Sequence, residues 1–292
     1  MTRGVVVGVD GTEQARAAAE WAADEAVLRG TGVRLVHAKE PSPDVMLPLV
    51  AREPDESWAE DLLARTAAGL RARHPGLSVT TRLSAASGPV PALVAAGEEG
   101  DLLVLGSRAL GSMAGYLLGS TGLTVAGAVD RPVVLVRAHG ATAPQGPVAV
   151  GVDVRQAADS VLGFAFEEAD RRHARLHAVF ALQLPLFAGL GPAMVPDIRL
   201  AVAPEIERSL DELLTPWRAK YPEVTVVGRV RTGSAGAELL AASGDASLVV
   251  VGRRTRRSTL GAHIGSVAHA VLHHSRAPVA LVPHDRRHDG PR

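Results

Sequence analysis

Leu103-Val104-Leu105-Gly106-Ser107-Arg108-Ala109 is followed by Leu117-Leu118-Gly119-Ser120 and then by Arg131-Pro132-Val133-Val134-Leu135-Val136. The same order returns as Val249-Val250-Val251-Gly252-Arg253-Arg254-Thr255, His263-Ile264-Gly265-Ser266 and Ala277-Pro278-Val279-Ala280-Leu281-Val282. Every landmark moves by 146 residues: Gly106 to Gly252, Gly119 to Gly265, Pro132 to Pro278. The chain therefore holds two copies of one domain, residues 1–138 and 147–283, joined by the Gly-, Ala- and Pro-rich stretch His139–Pro147. A length of 292 residues suits two domains.

Each copy reads as alternating strands and helices. Val5–Val9 is a short apolar run, as expected of a strand buried on both faces. Gln14–Arg29 has helical spacing, with Ala15, Ala18, Ala19, Ala22 and Ala26 on one side and Glu13, Glu20 and Glu25 assigned to solvent. Strands are predicted over Val33–Ala38, Leu77–Leu83, Leu102–Gly106 and Pro132–Val136, with helices over Asp55–His74, Val90–Gly97 and Thr121–Val129. In the second copy, strands are predicted over Val148–Asp153, Arg175–Phe180, Val224–Val230, Leu248–Gly252 and Pro278–Val282. Helices there cover Asp159–Arg172 and Glu205–Lys220, the latter interrupted at Pro216, and His269 to His273 lies on a further helix. This alternation implies an α/β fold: two tandem Rossmann-like domains, each a five-stranded parallel sheet with helices on both faces. Glu40–Pro54 and the proline-bearing Gln183–Pro204 read as irregular segments, and His284–Arg292 as a disordered polar tail.

Composition removes several function classes. Thirty-one acidic residues balance thirty-one basic ones, so no global field draws the chain to nucleic acid or an anionic membrane. Cysteine is absent, which excludes disulfides, thiolate metal sites and thiol catalysis. The chain runs from Met1-Thr2-Arg3-Gly4 straight into Val5, and no apolar run approaches the ~20 residues of a membrane span. A soluble cytoplasmic protein is the expectation.

In an open parallel sheet, ligands bind beyond the carboxyl ends of the strands where the strand order reverses. For the order 3-2-1-4-5, that point lies between strands one and four, which end at Asp10 and Gly106 and at Asp153 and Gly252. Glycine lets backbone approach a ligand closely. Gly119-Ser120 and Gly265-Ser266 stand at helix starts, where N–H groups and the helix dipole favour phosphate. Asp10 and Asp153 can accept from an amino group or a ribose hydroxyl, or instead cap the following helix.

These motifs resemble those of the universal stress protein family in its tandem-domain, actinobacterial form, over residues 4–137 and 147–283. The family's ATP-binding signature runs Gly-x2-Gly-x9-Gly-Ser/Thr. Here it reads Gly106-x2-Ala109-x9-Gly119-Ser120 and Gly252-x2-Thr255-x9-Gly265-Ser266, with the spacing intact and the second glycine replaced in both copies. The resemblance implies a first adenine-nucleotide site at Val9, Asp10, Gly11, Ala38, Gly106, Arg108, Ala109, Gly119, Ser120 and Thr121. It implies a second at Asp153, Val179, Gly252, Arg254, Gly265, Ser266 and Val267. The ligand implied is ATP, with Mg²⁺ as a candidate companion. Ala109 in a left-handed conformation would cost about 1–2 kcal/mol and β-branched Thr255 more. Val154 and Arg155 replace Gly11 and Thr12, so the first site ranks above the second.

The resemblance also implies a stress or dormancy regulator that binds ATP without fast turnover, with strand five as a pairing edge for an intrachain pseudo-dimer or a homodimer. Nucleotide occupancy would alter conformation or the choice of a regulatory protein partner. Two alternatives stand beside this. One is an interaction module without nucleotide, favoured by the missing glycines. The other is a slow ATPase, for which Asp10 and Arg108 are the visible candidates and a P-loop lysine is lacking. Arg253, Arg254, Arg256 and Arg257 read as a solvated loop in which one or two arginines can face a triphosphate. His263, His269, His273 and His274 cluster in sequence, but no cysteine completes a metal set and no metal site is assigned. His37, Trp21, Trp58 and Trp217 read as packing residues.

Overall fold

The computed structural model describes residues 3–38, 56–86, 88–107, 120–138, 146–156, 158–183, 195–254 and 264–284. These fall into two compact units, divided in the stretch that joins the repeats.

In the first unit, β1 (Val5–Gly8), α1 (Glu13–Leu28), β2 (Val33–Ala38), α2 (Glu56–Arg73), β3 (Val79–Ser84), α3 (Pro89–Glu98), β4 (Leu102–Ser107), α4 (Ser120–Ala128) and β5 (Val133–Arg137) follow one another. Every pairing is parallel, and the sheet runs β3-β2-β1-β4-β5. Val5 aligns with Val33 on one side and Leu102 on the other. Val5, Val6, Val7, Leu102, Leu103 and Val104 are fully buried, which is why these strands read as unbroken apolar runs. Helices α1 and α2 pack together, α3 and α4 pack together, and all four contact the sheet.

The second unit repeats the plan with β6 (Val148–Gly151), α5 (Asp159–Arg171), β7 (Leu176–Leu182), α6 (Val195–Lys220), β8 (Val226–Thr232), α7 (Ala235–Ala242), β9 (Leu248–Arg254), α8 (Ser266–His274) and β10 (Val279–His284). Its parallel order is β8-β7-β6-β9-β10. Val148 aligns with Leu176 and Leu248, the register of Val5 in the first unit.

Several expectations need correction. Glu25, assigned to solvent, is buried and paired with Arg29. It stands three residues after Ala22 and seven after Ala18, which places it on the buried alanine stripe. Glu168 is its buried counterpart on α5 and pairs with Arg171 and Arg172. Helix α6 is not interrupted at Pro216: it runs through both Pro204 and Pro216 and begins at Val195, inside the segment read as irregular. Buried Ile206, Leu210 and Leu214 anchor it despite the missing donors. Helix α7 had no predicted counterpart. Its start at Ala235 is Pro89 moved by the repeat's own 146 residues. His284 completes β10 instead of opening a tail. Residues 285–292 and Glu40–Pro54 lie outside the described residues.

Candidate functional site

In the second unit, β6 lies between β7 and β9, so the strand order reverses there and leaves a crevice at the carboxyl ends. A cavity of about 690 Å³ occupies that crevice, a size typical of small-molecule sites. Its lining includes all seven residues assigned to the second site: Asp153, Val179, Gly252, Arg254, Gly265, Ser266 and Val267. Val161, Leu162, Val179 and Leu182 give it an apolar wall. Arg155, Gln156, Arg254 and His284 supply polar groups.

Local chemistry fixes these groups. The Arg155 N–H donates to Asp153 Oδ1 at 3.0 Å, which turns the chain just beyond β6. Arg254 Nη2 donates to Gln156 Oε1 at 3.0 Å and ties the end of β9 to that turn. Gly265 caps α8 with φ −60° and ψ 157°, and no side chain occupies the cap. Among the described residues, a Cβ added to Gly265 would meet nothing within 4 Å, so the start of α8, whose first N–H groups lack helical acceptors, has open space beside it, and Arg254 lines the same cavity. This cradle and its donors suit a phosphate. Gly252 is different: a Cβ there would fall 2.9 Å from the His284 ring. Its lack of a side chain makes room for His284.

The first unit shows the matching turn. Asp10 Oδ1 accepts from Thr12 N–H at 2.9 Å and Thr12 Oγ1 at 2.6 Å. The cap of α1 is Thr12, whose Oγ1 accepts from Ala15 N–H at 3.2 Å. Asp10 is thus not the capping residue, and neither is Asp153, because Ala158 stands at the cap of α5. Val9 is buried, and its carbonyl lies 2.7 Å from His37 Nδ1. Gly11 takes φ +82°, and a Cβ there would meet the Trp58 ring at 3.2 Å. Trp58 also meets His37 edge-on and stays 38% exposed, so it packs at the surface over the Gly11 turn. Ala38 ends β2, Ser120 opens α4, and Thr121 follows it half-buried. Gly106 ends within β4, where a Cβ would fall 2.6 Å from the Gln14 carbonyl carbon. Arg108, Ala109 and Gly119 lie outside the described residues, as does Thr255.

The universal stress protein family profile matches residues 1–137 and again 146–283. The chain belongs to the universal stress protein family. A universal stress protein of Mycobacterium tuberculosis is 34% identical over 95% of this chain and 96% of its own length. A second from that species is 32% identical, with 95% of each chain covered. Among solved structures, a universal stress protein from Archaeoglobus fulgidus superposes with a TM-score of 0.69 at 17% identity, covering 97% of this chain and 99% of that one. That likeness places the fold.

Within this universal stress protein, sequence reasoning missed Arg155 and Gln156 as cavity residues and His284 as a wall. Arg155 had been noted only as a departure from the first copy. His284 could have been found by carrying the β10 pattern two residues past Val282. Arg253, grouped with a solvated loop, is buried inside β9, whereas Arg254 is exposed and lines the cavity. Among the described residues, no helix is long and apolar enough to cross a membrane.

Proposed function

We propose that this universal stress protein binds one adenine nucleotide, ATP with Mg²⁺, in each domain, and acts as a stress or dormancy regulator. Occupancy sets its conformation and its choice of protein partner. The observation that carries the reading is the second-domain cavity, which gathers all seven expected residues around an open helix start. Val179 and the apolar wall suit a base, Asp153 a ribose or amino group, and Gly265, Ser266 and Arg254 the phosphates. Mg²⁺ would neutralise phosphate charge beside Asp153, the one carboxylate lining the cavity among the described residues. The Arg155 N–H donates to Asp153 Oδ1 and holds the carboxylate in place at the cavity, with its other oxygen left for the ligand. The first domain is assigned its nucleotide by the repeat and by the matching Asp10 turn.

Titration calorimetry with ATP and Mg²⁺ on the full chain tests this. The companion variant is Gly265→Leu, whose side chain enters space that no described residue reaches within 4 Å. Its backbone angles are open to any residue, so the fold should survive at a cost of about 1 kcal/mol in capping. The second-domain isotherm should vanish in the variant. A wild-type chain that evolves no heat with saturating nucleotide would sink the reading and favour the interaction module.

A further inference from the structure

On α8, Ala268, Val271 and Leu272 are buried against the domain. The face carrying His269 and His273 points outward, with His269 exposed and His273 half-buried. Their rings stand 4.2 Å apart between centroids, and the two Nε2 atoms approach to 3.1 Å. As neutral rings they can share one proton between those nitrogens. The same distance is also a chelating bite: two imidazoles bound to one ion at about 2.0–2.1 Å, at right-angled or tetrahedral geometry, hold their nitrogens about 2.9–3.4 Å apart. We propose that His269 and His273 form a two-imidazole site for a divalent transition-metal ion, of the class of Zn²⁺, Ni²⁺ or Cu²⁺.

Three features support that class. Imidazole prefers these borderline ions to Mg²⁺ or Ca²⁺. His273 lies in the last turn of the helix, where the backbone dipole favours a cation. A spacing of four residues keeps both rings on one face with no further folding. To bind, the ring that donates its Nε2 proton moves that proton to Nδ1 through solvent, so that both Nε2 lone pairs face the ion. Water completes the coordination, because no group of three or more ligating side chains forms among the described residues. The site belongs to the second domain alone. Moved back by the repeat's 146 residues, His269 and His273 become Leu123 and Gly127. It is separate from the nucleotide cavity, whose α8 contribution ends at Ala268.

Tag-free full-length protein, titrated with Cu²⁺ and followed by electron paramagnetic resonance, tests the assignment. One ion per chain with coupling to two imidazole nitrogens is expected. His269→Ala and His273→Ala should each weaken binding at least tenfold and leave coupling to a single nitrogen, with unchanged circular dichroism. His274→Ala, which removes a neighbouring ring 6.4 Å from His273, should keep the two-nitrogen signal. A spectrum that persists unchanged in both single variants, or the absence of a stoichiometric site in the wild type, would overturn the proposal.

Discussion

Gly106, the first signature glycine of one copy, and Gly265, the last of the other, do different physical work. A Cβ on Gly106 would lie 2.6 Å from the Gln14 carbonyl carbon and 2.7 Å from the Ala15 nitrogen, both of them backbone. Helix α1 cannot yield to it without leaving the sheet. Gly106→Ala should therefore cost about 1–3 kcal/mol, read as a lower urea midpoint, even in the absence of nucleotide. Unchanged stability in that variant would return Gly106 to a purely ligand-facing role. His177 on β7 carries a second residue-scale consequence. Its pKa is lowered below the ordinary 6.5, first by burial and then by the charges of Arg229 and Arg175, against raising contributions from an Ala242 backbone hydrogen bond and Asp245. Its Nδ1 is buried without a hydrogen-bond partner. The unfolded chain thus takes up the proton first as pH falls. The stability from the neutral ring is complete above 6.5 and is lost as the solution acidifies from there toward the folded value. His177→Gln should flatten that slope, which for one group is at most about 1.4 kcal/mol per pH unit. Urea midpoints measured at several pH values would show it, and parallel slopes for the two proteins would refute it.

At the scale of elements, periodicity told most of the story and failed where a single residue type was weighed by habit. The strands were legible because burial on both faces leaves unbroken apolar runs such as Val5-Val6-Val7. Glu25 was misplaced because charge was allowed to outvote helical phase, although its phase sets it among Ala18, Ala22 and Ala26. Glu168 repeats the device on α5, so each copy buries one carboxylate against arginine near the end of its first helix. Pro216 was read as a break for the opposite reason, a local rule that tertiary packing overrode. Leu214 and the stacked rings of Phe166, Trp217 and Tyr221 hold α6 in register on either side of it. The proline is itself exposed, so its replacement forfeits no core packing. Pro216→Ala should restore one backbone donor and a good helix former, offset by a looser unfolded chain, for a net gain of about 2 kcal/mol. A raised urea midpoint in the transition reported by the neighbouring Trp217 would bear this out. A lowered one would mean that α6 depends on the proline.

For the molecule as a whole, the repeat made the two sites legible as positions but not as working pockets. Gly119 and Gly265 could be paired by counting alone, and Asp10 and Asp153 by the Val-Gly-Val-Asp run that ends each copy's first strand. Counting could not show that Gly252 accommodates His284, or that Gln156 ties Arg254 to the Asp153 turn, because those contacts join residues far apart in sequence. The ranking of the first site over the second rested on Ala109 against Thr255, both outside the described residues, and on Val154 and Arg155 in place of Gly11 and Thr12. Stoichiometry measures what that ranking only compared. Denaturing freshly purified protein and counting the released nucleotide by mass spectrometry should give two per chain. Gly265→Leu should reduce this to one, because the new side chain enters the second cradle and leaves the Asp10 turn in the other unit untouched. Gly119→Leu, at the position the repeat makes equivalent, should also give one, and the double variant none. A wild-type count of one that Gly265→Leu abolishes would mean that the first copy keeps the fold without the ligand. A count of one that survives Gly265→Leu would move the nucleotide to the first copy and leave the cavity around Asp153 and Arg254 to another ligand.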